Sequence, residues 1–335
     1  MGGCGLEKFR AAGALHNPFT FYLLPFTSPT EVVDVFSRKT LMPMMPWILA
    51  ARPKTLPAAI VPVWVGSMPA LVDGDPLSGS WFLFWCTLLS CLCIQIATNL
   101  FNDAIDHVKG ADTKKRLGPR RVTASGMLRP GTVLIGALVF CALAALIALP
   151  MVMERGWPVV AIGLVSLFFA YGYTGGPFPL AYRGMGELFV ILFFGFVAVS
   201  GSYLVQTGEW GGRDVLTLGL QCGLYSSVLI AVNNLRDLEE DRSSGKQTLA
   251  VRFGEVFARV EILLFCVVPV VLWNLHASET LVGLLVGLVP APIGVIIVAC
   301  VFRLRPGTVY NRILALGALQ LILFAVAATL HELLP

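Results

Sequence analysis

Charge is scarce in this 335-residue chain. Asp, Glu, Lys and Arg make up 13% of it, against about 25% in a soluble domain, and mean hydropathy is +0.79. That shortage excludes a disordered chain and an ordinary water-soluble enzyme. Histidine is rarer still, and His16, His107, His276 and His331 form no cluster. The eight cysteines contain no Cys-x-x-Cys spacing, so neither a zinc site nor a disulfide framework is expected. They read as small packing residues. A P-loop is excluded as well, because Glu240 stands where Gly245-Lys246-Gln247-Thr248 would need its upstream glycine.

Long apolar runs fill the chain instead. Nine stretches after residue 54 are free of charged residues: Thr55–Val72, Pro76–Asn102, Pro130–Met153, Gly156–Tyr182, Leu188–Gly208, Val215–Leu235, Ile262–Ser278, Thr280–Phe302 and Ile313–Leu330. Each approaches the roughly 20 residues that cross a hydrocarbon core as a helix. Open sheets cannot span lipid, since their edge amides would go unpaired, and barrel strands would show short alternating segments. The expected fold class is therefore an all-α polytopic membrane protein with nine transmembrane helices. With the N-terminus in the cytoplasm, 22 of the 24 Lys and Arg residues fall on the cytoplasmic side, and only Arg155 and Arg213 fall opposite. The net charge of +4 thus records orientation, and no nucleic-acid partner is expected. Residues 1–45 hold Pro18, Pro25 and Pro29 and lack a basic stretch leading into a clean apolar core. They read as an irregular or interfacial segment before a transmembrane domain of residues 46–335, with Met42, Met44 and Met45 as alternative starts.

Two places carry chemistry. Asn102-Asp103-Ala104-Ile105-Asp106 and Asn233-Asn234-Leu235-Arg236-Asp237 both contain Asn-x-x-x-Asp, at the ends of the second and sixth stretches. Asn102 and Asn233 are 131 residues apart, as are Asp106 and Asp237. Four helices separate the two, so both motifs emerge on the same side. Helical periodicity puts Asn102 with Asp106, and Asn233 with Asp237 and Asp241, on shared faces. If both helices face one cavity, Asp106, Asp112, Asp237 and Asp241 converge. Clustered anions resist ionisation, and oxygen-only ligands point to Mg²⁺, which is normally shared with substrate phosphates. The expected guest is a diphosphate. Arg121, Arg236 and Lys246 lie close to the carboxylates and are candidates to bind it, whereas Lys114, Lys115 and Arg252 read as orientation charges. Buried ionisable groups at membrane depth default to function.

At these residues the chain resembles the UbiA superfamily of intramembrane prenyltransferases, over roughly Trp47 to Leu330. The resemblance includes Arg52-Pro53-Lys54-Thr55-Leu56-Pro57, Asn102 through Asp106 to Gly110-Ala111-Asp112, Gly118-Pro119-Arg120-Arg121 and Tyr173-Thr174-Gly175-Gly176-Pro177. Its longest part runs from Asn233 through Asp241-Arg242, Gly245-Lys246 and Thr248-Leu249 to Gly254-Glu255. Gly110 stands where hydroxybenzoate-type relatives carry a second carboxylate, and Asp112 follows instead, which favours the branch that prenylates 1,4-dihydroxy-2-naphthoate in menaquinone synthesis. Leu180 departs from relatives with a basic residue there, and Arg183 is the candidate to replace it.

The resemblance implies a helical fold around a central cavity in a bacterial cytoplasmic membrane, with active-site loops in the cytoplasm. It implies Mg²⁺-dependent ionisation of a polyprenyl diphosphate, attack by the dihydroxynaphthoate ring on the allylic cation, and loss of CO₂. Asp106, Asp112, Asp237 and Asp241 would hold metal, with Asp106, Asp237 and Asn102 central to catalysis. Asn233, Asn234, Arg236, Lys246, Arg121, Tyr173 and Arg52 would contact substrate, and Lys54 is a further candidate. Membrane lipid would border the prenyl slot. Two alternatives stay open: a relative acting on another aromatic acceptor, and a cation-coupled transporter. The absence of charge within the nine stretches argues against the latter.

Overall fold

A computed structural model describes residues 44–72, 80–111, 117–119, 121–277 and 280–334. Asp112 and the reading of residues 1–43 fall outside the described residues. Within the compact unit Met45–Pro335 the described residues form helices and turns with no strand. The helices are α1 (Met45–Ala51), α2 (Pro57–Val72), α3 (Trp81–Val108), α4 (Pro130–Arg155), α5 (Trp157–Gly172) and α6 (Gly186–Thr207). They continue as α7 (Arg213–Arg236), α8 (Leu238–Ser243), α9 (Leu249–Ala277), α10 (Leu281–Gly287), α11 (Ala291–Arg303) and α12 (Tyr310–Leu333).

Each of the nine expected stretches contains a helix, but they do not cross alike. Among the described residues, seven helical spans are long and apolar enough to cross a membrane, with α10 and α11 forming one of them. The first expected span is instead a bent pair, broken by 52° between Met45–Thr55 and Pro57–Val72. Pro53 accounts for the break, since the residue before a proline is pushed out of the helical region, and Arg52 takes a left-handed φ of 52°. Asn99 of α3 pins the break by donating to the Ala51 carbonyl at 2.9 Å and to Thr55 Oγ1 at 3.1 Å. The fourth stretch, expected to run to Tyr182, stops at Gly172. At 16 residues α5 is ~24 Å long, and Gly175-Gly176-Pro177 turns the chain instead of continuing it. The seventh stretch begins earlier than expected, at Leu249 rather than Ile262, with a break at Gly254, whose backbone leaves the helical region (φ 87°, ψ 176°). Its first turns carry an i,i+4 ion pair between Glu255 and Arg259, so charge is accommodated in the helix and Glu261 is buried within it.

The most buried span is α7. Its contact with α6 is close because glycines face each other. A Cβ on Gly195 would lie 2.5 Å from the Gly219 carbonyl oxygen, and one on Gly223 2.9 Å from Ile191 Cα. Small residues are how helices approach when lipid gives no hydrophobic drive to associate. Around Gly195, α6 widens into a π segment, Ile191–Val197, a feature that often marks functional sites. Ser80 caps α3 by accepting from the Leu83 amide. With 28 residues, α3 is ~42 Å long, longer than a hydrocarbon core of about 30 Å, and Asp103 and Asp106 lie in its last two turns.

Candidate active site

Both acidic motifs end in the same backbone device. In α3 the Ala111 amide donates to the Asp106 carbonyl at 2.9 Å and the Gly110 amide to the His107 carbonyl at 3.0 Å. In α8 the Lys246 amide donates to the Asp241 carbonyl at 2.9 Å and the Gly245 amide to the Arg242 carbonyl at 3.4 Å. Each is a Schellman cap with glycine at positive φ, 70° at Gly110 and 78° at Gly245. Asp106 therefore corresponds structurally to Asp241, four residues before its glycine. The register expected from the sequence, Asp106 with Asp237, ignores a break: α7 ends at Arg236, and α8 restarts after Asp237.

The caps aim side chains at one buried carboxylate. Asp106 is fully buried. Its Oδ2 accepts from Arg121 at 3.1 Å and Lys246 at 3.2 Å, and its Oδ1 from the Tyr182 hydroxyl at 2.8 Å. Lys246 reaches it because the Gly245 turn reverses the chain, and the Gln247 amide fastens that turn to the Tyr182 carbonyl at 3.1 Å. Arg121 reaches it because Asp103 holds the next residues: Val122 and Thr123 amides donate to Asp103 at 3.1 and 3.0 Å, and the Thr123 hydroxyl at 2.5 Å. The Tyr182 ring lies between Lys109, 4.4 Å from its centroid, and Lys246, at 5.1 Å. Lys109 also donates to the Thr174 carbonyl at 2.7 Å. Burial and the Lys246 charge lower its pKa, while Asp106 opposes them.

The second motif is arranged differently from the expectation. Arg236, expected to bind diphosphate, is 2% exposed and committed elsewhere. Its Nε and one terminal nitrogen grip Asp237 at 2.7 and 2.6 Å, and it also donates to Asn233 Oδ1 at 2.6 Å and Asn311 Oδ1 at 2.7 Å. Asn311 of α12 in turn donates to the Leu117 carbonyl at 3.0 Å, tying this clamp to the loop after α3. Asn234 turns away from Asn233 and donates to Glu187 Oε1 at 2.6 Å. Asp241 is buried, and among the described residues its carboxylate has no hydrogen-bond partner. Burial pushes its pKa up to about 7, with Asp237 and Asp106 adding to the rise and Lys246 opposing it.

The expected four-carboxylate metal set is therefore not closed by its described members: among the described residues no three acidic, His or Cys side chains surround a common point. The reason is charge pairing, since Asp106 is held by Arg121 and Lys246, and Asp237 by Arg236. Among the described members the Asp241 carboxylate alone makes no hydrogen bond, and all candidate ligand atoms here are oxygens, which suits a hard divalent cation. Asn102 is half-buried and makes no side-chain hydrogen bond among the described residues. Arg52 lies within electrostatic reach of Tyr173, while Lys54 is exposed. Arg183, the candidate to replace a basic residue at Leu180, is exposed and stacks on Phe178 at 4.4 Å. Lys109 occupies that corner instead. Asp103, Tyr182, Asn311 and Glu187 are absent from the sequence-derived set. Asp103 alone had a local signal, sitting three residues before Asp106 on the same helix face.

About two turns along α3 from Asp106 begins an apolar cavity of about 160 Å³, bordered mainly by α3, α5 and α6. Thr98, one turn before Asn102, marks its head, with Phe169, Phe189 and Phe193 beside it. Tyr173 packs on Phe189 at 5.4 Å, and Phe189 stacks on Phe193 at 4.2 Å. From Phe189 to Val205 the cavity follows α6 for ~24 Å.

The profile of the UbiA prenyltransferase family matches residues 59–328. The chain is 37% identical over 219 residues to a 1,4-dihydroxy-2-naphthoate octaprenyltransferase of Bacillus subtilis strain 168, covering 65% of this chain and 68% of that one. It is 34% identical over 248 residues to the enzyme of the same name from Escherichia coli K12, covering 71% and 79%. A UbiA homolog from Archaeoglobus fulgidus, solved bound to DMAPP and Mg²⁺, superposes with a TM-score of 0.59 at 15% identity, over 86% of this chain and 99% of the other. At that identity the likeness concerns the fold.

Proposed function

Because the chain belongs to the UbiA prenyltransferase family, we propose that it transfers a polyprenyl group from polyprenyl diphosphate to 1,4-dihydroxy-2-naphthoate, with release of CO₂ and diphosphate, in menaquinone biosynthesis. The observation that carries this reading is the buried Asp106, gripped by Arg121, Lys246 and Tyr182 from three separate segments at the head of a long apolar cavity.

The cavity takes the prenyl tail, whose burial contributes roughly 0.8 kcal/mol per CH₂, and membrane lipid borders the bundle. Arg121 and Lys246 supply fixed positive charge where the diphosphate departs. Asp106, Asp237 and Asp241, with Asp112, would hold Mg²⁺, which when bound neutralises the diphosphate. Asn102 faces the same end and is free to contact a phosphate oxygen. Tyr173, Phe189 and Phe193 present aromatic faces to the allylic carbon as positive charge develops. Arg236 acts indirectly: by clamping Asp237, Asn233 and Asn311 it fixes the second motif. The active-site loops face the cytoplasm across the bacterial cytoplasmic membrane, residues 46–335 form the catalytic unit, and no nucleic acid takes part.

The test is direct. Membranes containing the protein, supplied with Mg²⁺, a polyprenyl diphosphate and dihydroxynaphthoate, yield prenylated naphthoquinol, CO₂ and diphosphate. Cation flux in proteoliposomes without product would overturn the reading in favour of transport.

A further inference from the structure

Glu187 is a buried carboxylate that the diphosphate end of the site leaves unused. It lies in the first turn of α6, two residues before Phe189, and is 2% exposed. Its Oε1 accepts from Asn234 at 2.6 Å. Its Oε2 is buried and, among the described residues, has no hydrogen-bond partner. Leaving a buried acceptor unmatched is costly, and such a cost is met where a ligand brings the donor.

The neighbouring group has the complementary chemistry. Tyr173 is the phenol nearest this corner: a Cβ on Gly186 would stand 3.1 Å from its hydroxyl. Glu187 is the charged group acting most strongly on that phenol, ahead of Asp106, Asp241 and Arg52. The Tyr173 hydroxyl also makes no hydrogen bond among the described residues. The Tyr173 ring continues into the Phe189 and Phe193 stack that lines the cavity. An open acceptor and an open hydroxyl thus share one corner, beside the aromatic ring of Phe189 that lines the prenyl cavity and within electrostatic reach of Asp106.

We propose that Glu187 and Tyr173 form the subsite for a ring hydroxyl of the aromatic acceptor. The phenolic O–H donates to Glu187 Oε2, and its oxygen accepts from the Tyr173 hydroxyl. Of the groups the two substrates carry, only a ring hydroxyl matches both polarities: a diphosphate would be repelled by the carboxylate, and a prenyl carbon offers no donor. Asn234 positions Glu187 from the second acidic motif, coupling acceptor binding to the diphosphate end. The subsite rests on the reaction proposed above, and it selects against acceptors lacking the hydroxyl, because the buried Glu187 carboxylate would then go unpaired.

Steady-state kinetics of purified protein in nanodiscs tests this, with Mg²⁺, a polyprenyl diphosphate and three acceptors: 1,4-dihydroxy-2-naphthoate and its two monohydroxy analogues. Glu187→Gln preserves size and the bond from Asn234 but turns the open acceptor into a donor. It should raise KM for the dihydroxy acceptor roughly 10-fold or more, leave KM for the diphosphate within about twofold, and narrow discrimination against the analogue missing the bound hydroxyl. Tyr173→Phe should narrow the same discrimination. Unchanged acceptor KM, or an equal loss toward diphosphate and all three acceptors, would overturn the subsite while wild-type turnover upheld the reaction. If wild-type protein prenylates none of the three, the reaction and the subsite fall together.

Discussion

Asp106 and Asp237 look equivalent in the sequence and are not equivalent as residues. Asp106 faces the cations Arg121 and Lys246 and a phenol, so Asp106→Asn should cut turnover roughly 100-fold by disturbing the charge arrangement at the diphosphate, and, because it also weakens the buried pair with Arg121, should lower the thermal unfolding midpoint. Asp237 is the counter-ion of a buried guanidinium. Its replacement by Asn leaves Arg236 undercompensated and should cost about 3 kcal/mol of stability, seen as a lowered midpoint in detergent. If the two variants behave alike in both measurements, the distinction drawn here is lost. Asp241 adds a pH dependence. Its pKa of about 7 stands above the ordinary 3.8, so the metal-free fold binds a proton that the unfolded chain releases. Its contribution to stability is fully present below about pH 4 and is lost as pH rises through about 7. Mg²⁺ competes with that proton, so its affinity should strengthen as pH approaches 7 and flatten above, with proton release visible by calorimetry at pH 6. A pH-independent Mg²⁺ affinity would contradict this.

At the scale of elements, the paired Schellman caps do the positioning. A Cβ at Gly110 or Gly245 meets nothing within 4 Å, so Gly110→Ala and Gly245→Ala probe backbone conformation without a clash. Each should cost ~1 kcal/mol for placing a side chain at positive φ. Only Gly245→Ala should also weaken diphosphate binding, since Lys246 follows directly and depends on that turn to reach Asp106. A stability change of the same size with identical diphosphate KM in both variants would detach Lys246 from the substrate.

At the scale of the whole molecule, the bundle brings a charged cluster to one end of a cavity too long for the chemistry alone. Gly163 lines that cavity, and a Cβ there meets no neighbour within 4 Å. Gly163→Phe should fill the slot and shift preference toward shorter prenyl diphosphates, readable by comparing kcat/KM across donors of increasing length. Retained preference for the longest donor would place the tail elsewhere.

Hydropathy was enough to determine an all-helical membrane bundle, and the spacing of the two Asn-x-x-x-Asp motifs was enough to put Asn102, Asp106, Asn233, Asp237 and Asp241 at one end of it. Those properties follow from burial in lipid and from a local repeat, and neither requires knowing a partner. Helix lengths were less legible: α5 stops at Gly172, and α9 starts among charges, because turn glycines and an i,i+4 ion pair outweigh apolar composition. What only the tertiary structure decided is which charge meets which. Arg236 closes on the adjacent Asp237 and on Asn311, Lys246 crosses to Asp106, and Glu187 meets Asn234. Hydrogen bonding falls off within an ångström or so and Coulomb energy is strongest at contact, and packing of helices distant in sequence sets distances on that scale.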